Sequence, residues 1–494
     1  MLGGLDQIVS TAIAFAAFGG LIALSVVLAR PADRIGMPVV LVLLGLGMLA
    51  GSEGLGIPFD DYELASQLGT LALVFILLDG GLNTRRSMLK AGAAPASVLA
   101  TLGVVGTAAM TALAARLFGL SWPEAIMIGA VVSSTDAAAV FAVLRGSGIH
   151  LKQRVKATLE LESCVNDPMA VILTTAAIAW FTNQSASVPV LLAIVPMQLA
   201  IGAAVGALIG YLTARGLRRV RLTVTGLYPA LTIAAGLVAY GAATLVHGSG
   251  FLAVFVAGFV LGNSQIPYRG VFLRVHDALA WLSQISMFLM LGLLVFPSQL
   301  LPVALQGMAL GLFLAFVGRP LVVAACLAPF GFPKREVAYV GWAGLRGAVP
   351  IVLATYPLIA GVDDAGRVFN VVFFIVVVST IVPGMGIRPL GRRLGVTVTP
   401  PSVPSAALEM HATRLLDADL MVFHISESLV VSGAKLSELY LPPDAAVTLI
   451  VRGEHLIAPR GNARLQPGDH AYVFCQSKDR PLIELLFGRP QVEN

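Results

Sequence analysis

Polar and apolar positions follow two different rhythms along this chain. From the N-terminus to about residue 393, long apolar runs are separated by short charged stretches; beyond it, apolar residues recur at alternate positions in short bursts. A helix rising ~1.5 Å per residue needs about twenty apolar residues to cross ~30 Å of hydrocarbon, and most of the runs approach that length. They predict thirteen membrane helices at 7–29, 38–51, 65–82, 92–117, 121–144, 155–181, 188–214, 225–246, 250–263, 271–296, 301–328, 335–360 and 366–387. The second and ninth spans are the short ones.

The stretch Val398-Thr-Pro-Pro-Ser-Val-Pro404 has the composition of a linker. Beyond it Leu420–Ile425, Ala446–Val451 and His470–Cys475 alternate as strands, Gly433–Leu439 is expected as a short helix, and Pro467-Gly-Asp469 as a turn. The expected organisation is a membrane unit over 1–397, a linker over 398–405 and a small α+β module over 406–490. The module has no glycine-rich phosphate loop, so it is not expected to be an enzyme.

Composition sharpens this picture. The chain of 494 residues is 57% hydrophobic and 12% charged, with a mean hydropathy of +0.87, which excludes a soluble globular protein. The net charge of +5 does not point to nucleic acid, because Lys and Arg lie in short clusters between apolar runs. Cys164, Cys326 and Cys475 form neither a disulfide framework nor a metal-ligand spacing, and no resident cofactor is expected. No basic residue precedes Arg30, so a cleaved signal peptide is not expected.

The clusters also orient the chain. Alternate loops carry Arg30 and Arg34; Arg85, Arg86 and Lys90; Arg145, Lys152, Arg154 and Lys156; Arg215, Arg218, Arg219 and Arg221; Arg269 and Arg274; Lys334 and Arg335; Arg388, Arg392 and Arg393. The opposite loops hold Arg116 and Arg367 together with Glu53, Asp60, Asp61 and Glu63. Basic loops stay in the cytoplasm, which sets the N-terminus outside and the C-terminus inside an inner, plasma membrane. A miscount by one helix would scramble the alternation.

Candidate chemistry lies where charge interrupts the apolar pattern. The sixth span contains Glu162-Ser163-Cys164-Val165-Asn166-Asp167-Pro168. A charge at mid-membrane costs roughly 2.5–3.5 kcal/mol on insertion scales, so such residues mark ion or proton paths more often than helix glue. Ser163 and Asp167 are one turn apart and can meet one ligand, while Glu162 and Asn166 project beside them. Pro168 cannot donate to the Cys164 carbonyl, which frees a backbone oxygen. Asp79 ends the third span, Ser133-Ser-Thr135-Asp136 interrupts the fifth, Arg319 lies in the eleventh and Gly344-Leu-Arg346-Gly-Ala-Val-Pro350 breaks the twelfth. Asp79 and Arg319 lie toward helix ends, where snorkelling to an interface is the alternative to a role in the site.

The fifth and twelfth spans are seven apart, so they run in opposite directions and take corresponding places if spans 1–6 and 8–13 are inverted repeats. Paired broken helices point to a transport site at the membrane midplane. Asp136 would balance N-terminal, positive helix ends and Arg346 the C-terminal, negative ones. Glu162 and Arg319 lie at similar depths, roughly 10–14 Å from the cytoplasmic surface, and should pair, with Arg346 the competing partner.

Thr135-Asp136-Ala-Ala-Ala-Val, Glu162-Ser-Cys-Val-Asn166-Asp167-Pro and Gly344-Leu-Arg346-Gly-Ala-Val resemble, in order and spacing, the bacterial monovalent cation:proton antiporters of the cation:proton antiporter-1 type. The Leu78-Asp79-Gly-Gly-Leu82 run and the tail, with Gly433-Ala-Lys-Leu and Leu465-Gln-Pro-Gly-Asp469, resemble the potassium/proton branch with a TrkA-C-like regulatory domain. The resemblance implies an all-α polytopic membrane protein with inverted repeats, the fifth and twelfth helices discontinuous and crossed, and a small cytoplasmic α+β domain. It implies exchange of a monovalent cation, potassium foremost, for protons, with K+ or Na+ and H+ as substrates. Asp167 would carry cation and proton in turn, with Asn166, Ser163, Thr135, Asp136 and Asp79 around the path and Glu162, Arg319 and Arg346 as structural charges. Asn before Asp, rather than two Asp, is associated in the family with electroneutral one-for-one exchange. The family also implies a homodimer in the bilayer and a small-molecule or nucleotide ligand on the tail. Ala137 stands where many sodium exchangers have Pro. Sodium/proton exchange is the nearest alternative; a tail-gated channel lacks a repeated filter loop, and aspartyl proteolysis lacks a second catalytic Asp beside Asp167.

Overall fold

Inside a membrane every backbone polar group must be satisfied locally, so the apolar runs have little choice but helix. A computed structural model of the chain describes residues 2–35, 38–57, 59–145, 149–182, 188–219, 224–266, 268–398, 418–427, 429–453, 455–476, 478–488 and 490. It divides into two compact units, residues 1–264 with 271–398, and residues 265–270 with 399–494.

The first unit begins with α1 (Leu2–Ile35), α2 (Val39–Ala50), α3 (Tyr62–Asn83), α4 (Arg86–Val98), α5 (Val104–Leu117), α6 (Trp122–Val131) and α7 (Ala137–Arg145). A short strand β1 (His150–Leu151) leads into α8 (Gln153–Thr182), α9 (Val188–Arg219), α10 (Leu227–Leu245), α11 (Gly250–Gly262) and α12 (Arg269–Leu293), which belongs to this unit from Val271 on. It closes with α13 (Pro297–Leu300), α14 (Ala304–Phe313), α15 (Arg319–Leu327), α16 (Lys334–Trp342), α17 (Val349–Ile359), α18 (Ala365–Arg393) and the strand β2 (Thr397–Val398). Among the described residues, seven helical stretches are long and apolar enough to cross a membrane, and five shorter apolar helices accompany them. Each predicted span holds helix, with two kinds of irregularity. The fifth and twelfth spans are broken, as α6/α7 and α16/α17. The fourth and eleventh each carry a π turn, at Leu99–Gly103 and Leu314–Gly318, which no residue pattern foretold.

Two packing groups emerge. α11 is pressed between α3 and α9, with glycines bringing backbones together: Gly258 and Gly262 face the backbones of Leu78 and Leu82, and Gly206 faces Ala253. The other group joins α5 to α6, α4 to α8, α14 to α18 and α15 to α16. α17 packs against both α18 and α3.

The second unit contains a four-stranded antiparallel sheet ordered β3-β6-β4-β5, with β3 (Ala418–His424), β4 (Ala446–Arg452), β5 (His455–Ile457) and β6 (His470–Gln476), and the helix α19 (Arg480–Phe487). Phe423, Ile450, Val473, Ile483 and Phe487 form its core. The expected helix over 433–439 is only a 3-10 turn at Leu436–Glu438. Gly433 has a positive φ of 82°, and Leu436 N donates to Ala463 O, so this backbone bonds across to residues 461–465 instead of along a helix. β5 and α19 were not anticipated. Val398, expected to open the linker, is paired in β2 opposite His150; the rest of that linker and positions 406–417 of the expected module lie outside the described residues.

Candidate functional site

The two breaks meet each other. α6 ends where Ser133 Oγ donates to Ala130 O at 2.6 Å, closing the last turn with its own side chain. Asp136 then starts α7, its Oδ1 accepting from Ala139 N at 3.0 Å as an N-cap. Its backbone N–H donates to Leu345 O at 2.8 Å, in the other break. A Cβ at Gly347 would overlap the Asp136 carboxylate, so the close approach requires glycine there. Across the break, Arg346 donates through Nη1 to Gly344 O at 2.8 Å, just beyond the C-terminal end of α16, while its backbone N–H reaches Ser379 Oγ on α18 at 3.0 Å. Negative charge thus sits at a helix N-terminus and positive charge near a C-terminus, each where the backbone dipoles favour it.

α8 carries its polar run past this junction. Asn166 is fully buried and donates through Nδ2 to Thr135 Oγ1 at 2.6 Å and to Thr135 O at 3.2 Å. A carbonyl can only accept, so the amide orientation follows from the bonding, and Asn166 Oδ1 is a buried acceptor with no partner among the described residues. Ser134 Oγ is likewise buried without one, and lies within interaction range of the Asp167 carboxyl. Asp136 is close enough to Asp167 for the two carboxyls to interact electrostatically. Asp167 itself keeps partial exposure. Ser163, expected to share a ligand with Asp167, accepts the Ala137 N–H of α7 through Oγ at 3.1 Å. That bond joins α8 to α7.

Glu162 and Arg319 face each other at 2.5 Å between Oε1 and Nη2, with 0% and 1% of their surfaces exposed. Arg346 lies near both. Glu162 Oε2, Arg319 Nε and Nη1, and Arg346 Nε and Nη2 have no hydrogen-bond partner among the described residues. Asp79 stands apart from this group in its bonding: its carboxylate takes Asn83 Nδ2 at 2.9 Å, one turn along α3. Two residues that bear on the site were missed in the sequence. Ser134 was visible in the Ser-Ser-Thr-Asp run, and Ser379 as a small polar residue inside an apolar helix.

The family model for the transmembrane part of sodium/hydrogen exchangers matches residues 20–393, and that for the TrkA-C domain matches residues 420–488. The chain is 40% identical over 471 residues to the K(+)/H(+) antiporter NhaP of Alkalimonas amylolytica, covering 95% of this chain and 82% of that one. It is 38% identical over 474 residues to the K(+)/H(+) antiporter NhaP2 of Shewanella oneidensis, with the same coverage of 95% and 82%. The solved structure of the sodium proton antiporter MjNhaP1 from Methanocaldococcus jannaschii at pH 8 aligns with a TM-score of 0.65 at 24% identity, over 76% of this chain and 99% of that one. That last likeness is one of fold.

Proposed function

Because the chain belongs to the sodium/hydrogen exchanger family, we propose that it is a secondary antiporter exchanging potassium for protons across the inner membrane, with Asp167 binding cation and proton in turn. It is a transporter and not an enzyme. One arrangement carries the reading: the partly exposed carboxylate of α8 interacts with Ser134 where two broken helices meet, and its chain neighbour Asn166, bonded to Thr135 in that break, keeps a buried Oδ1 without a partner among the described residues. A carboxylate with hydroxyl and carbonyl oxygens suits a monovalent cation stripped of part of its water, and the same carboxylate can take a proton instead.

Potassium is favoured by the relatives that carry it in their names, and sodium is the second reading, carried by the archaeal neighbour. Charge counting favours one-for-one exchange. Glu162, Asp136 and Asp167 set three negative charges against those of Arg319 and Arg346, so one monovalent cation or one proton neutralises the group. Asn166 presents its oxygen to the site; Thr135 holds Asn166, and Ser163 holds α7. Asp79, beside the basic loop at the end of α3, lies on the cytoplasmic approach. Glu162 and Arg319 brace the carrier helix, and Arg346 neutralises the carbonyl end of α16. No resident cofactor takes part.

The matched irregularities of spans four and eleven and of spans five and twelve support inverted repeats, thirteen crossings and crossed broken helices. The N-terminus is then outside and the C-terminus cytoplasmic. The two packing groups suit alternating access, one moving against the other as the scaffold of a homodimer. The domain arrangement we carry forward is a transport unit over 1–397, a linker over 398–405 and a regulatory TrkA-C-like module over 406–490 that takes a small molecule or nucleotide and not nucleic acid. The test is dye-reported proton flux in proteoliposomes with potassium, sodium or lithium added. Potassium-driven flux of opposite sign to the cation gradient is expected; flux with sodium or lithium alone would overturn the potassium reading, and no flux with any of them the antiporter reading.

A further inference from the structure

The connection between the two helices that build the site is gripped from the far end of the membrane unit. α7 starts at the site, where Asp136 caps it and Ser163 takes the Ala137 N–H. Its other end meets α18: Arg388 Nε donates to Val143 O at 2.7 Å. Val143 lies in the last turn of α7, where carbonyls lack helical partners and a cation is favoured. Past α18 the chain turns at Gly395, whose φ is +65°. It then buries Val396 completely in a cluster with Val140, Leu144, Leu151, Val155 and Ile387. Val396 O accepts from Lys152 N at 3.0 Å, and β2 pairs antiparallel with β1, His150 opposite Val398 and Leu151 opposite Thr397.

β1 is the connector between α7 and α8, and β2 is where the chain leaves the membrane unit for the tail. We propose that β1, β2, Val396 and Arg388 form a clasp that positions the ion site, and that the tail acts on transport through it. Closed, the clasp holds the N-terminus of α7 against Ser163 and keeps Asp136 on Leu345. Opened, it lets α7 drift and weakens cation binding at Asp167. Because the chain beyond Val398 continues into the tail, a pull on that segment reaches α7 without any contact with the ion. Arg388 and Val396 are thus positioning residues, and the inference rests on the antiporter reading.

The test uses the full-length chain. Thr397→Pro with Val398→Pro removes both N–H donors of β2 outside any helix, so the strand pair is lost while the helices stand. We expect the apparent KM for potassium to rise about fivefold or more with the maximal rate within about twofold, and the amides of residues 138–145 to exchange hydrogen several times faster. Arg388→Gln should repeat the KM effect and Arg388→Lys should largely spare it. The pair His150→Cys with Val398→Cys, oxidised and compared with wild type treated alike, should keep the wild-type KM. An unchanged KM in the double-proline variant overturns the proposal, as does loss of exchange on oxidising the cysteine pair. If wild type itself carries no cation-driven flux, the antiporter reading has failed. The clasp is then judged by amide exchange alone, and unchanged protection of α7 overturns it.

Discussion

Asp167 keeps partial exposure while Asn166 and Glu162, on the same helix, are fully buried, and that difference decides what each can do. Of these three α8 side chains, only the Asp167 carboxylate is open to an ion. Asp167→Asn keeps the shape and removes the charge, so exchange should be abolished at every pH while the protein stays folded by size-exclusion profile and thermal midpoint; any retained exchange would remove Asp167 from the mechanism. Glu162 and Arg319 are the opposite case, a pair sealed at 2.5 Å. Removing one partner leaves a buried charge alone, which costs about 3–5 kcal/mol. Glu162→Gln and Arg319→Gln should each lower the unfolding midpoint sharply, and the double variant should lose less than the sum. Additive losses would mean that the two side chains do not act as a pair.

At the scale of elements, the junction of the two broken helices is held by backbone and by the absence of a side chain at Gly347. Gly347→Ala forces a methyl into the Asp136 carboxylate, and such overpacking costs typically ~1–3 kcal/mol. Exchange should fall at least about tenfold with a modest drop in melting temperature, because the displaced carboxylate is the cap of α7. Wild-type exchange in that variant would show that the breaks have room to spare. The breaks themselves were legible in the sequence, since Ser133-Ser-Thr-Asp136 and Gly344-Leu-Arg-Gly are the residue types that end helices inside an apolar run. The helices were legible for the same reason: lipid leaves the backbone one way to satisfy itself. The π turns at Leu99–Gly103 and Leu314–Gly318 were not, because each is a shift in bonding that ordinary apolar residues tolerate. Nor could helical spacing alone tell that the Ala137 amide would claim Ser163. The pairing of His150–Leu151 with Thr397–Val398 was also hidden, as two-residue strands carry no alternation to read and only tertiary packing brings them together.

For the molecule as a whole, the question is whether transport needs both units. Every side chain argued to hold the ion or position its site lies between Asp79 and Val396, in the membrane unit. That unit has its own buried cluster around Val140, Val155, Tyr339 and Val396, and the tail has a separate one around Phe423, Val473 and Phe487. Units with separate cores can lose one another without either losing its packing. Ending the chain near Pro400 removes the tail and leaves β2 and Val396 in place, so the clasp on the α7–α8 connector survives. We expect measurable cation-driven proton exchange from that truncated protein, with rate or pH dependence altered, in proteoliposomes matched for protein content. Ending it at Gly395 removes the clasp as well. That should cost several times more cation affinity than removing the tail alone, although both proteins lack the same domain. Complete loss of exchange on truncation near Pro400, with the protein still in the membrane, would make the tail part of the translocation machinery and not its regulator.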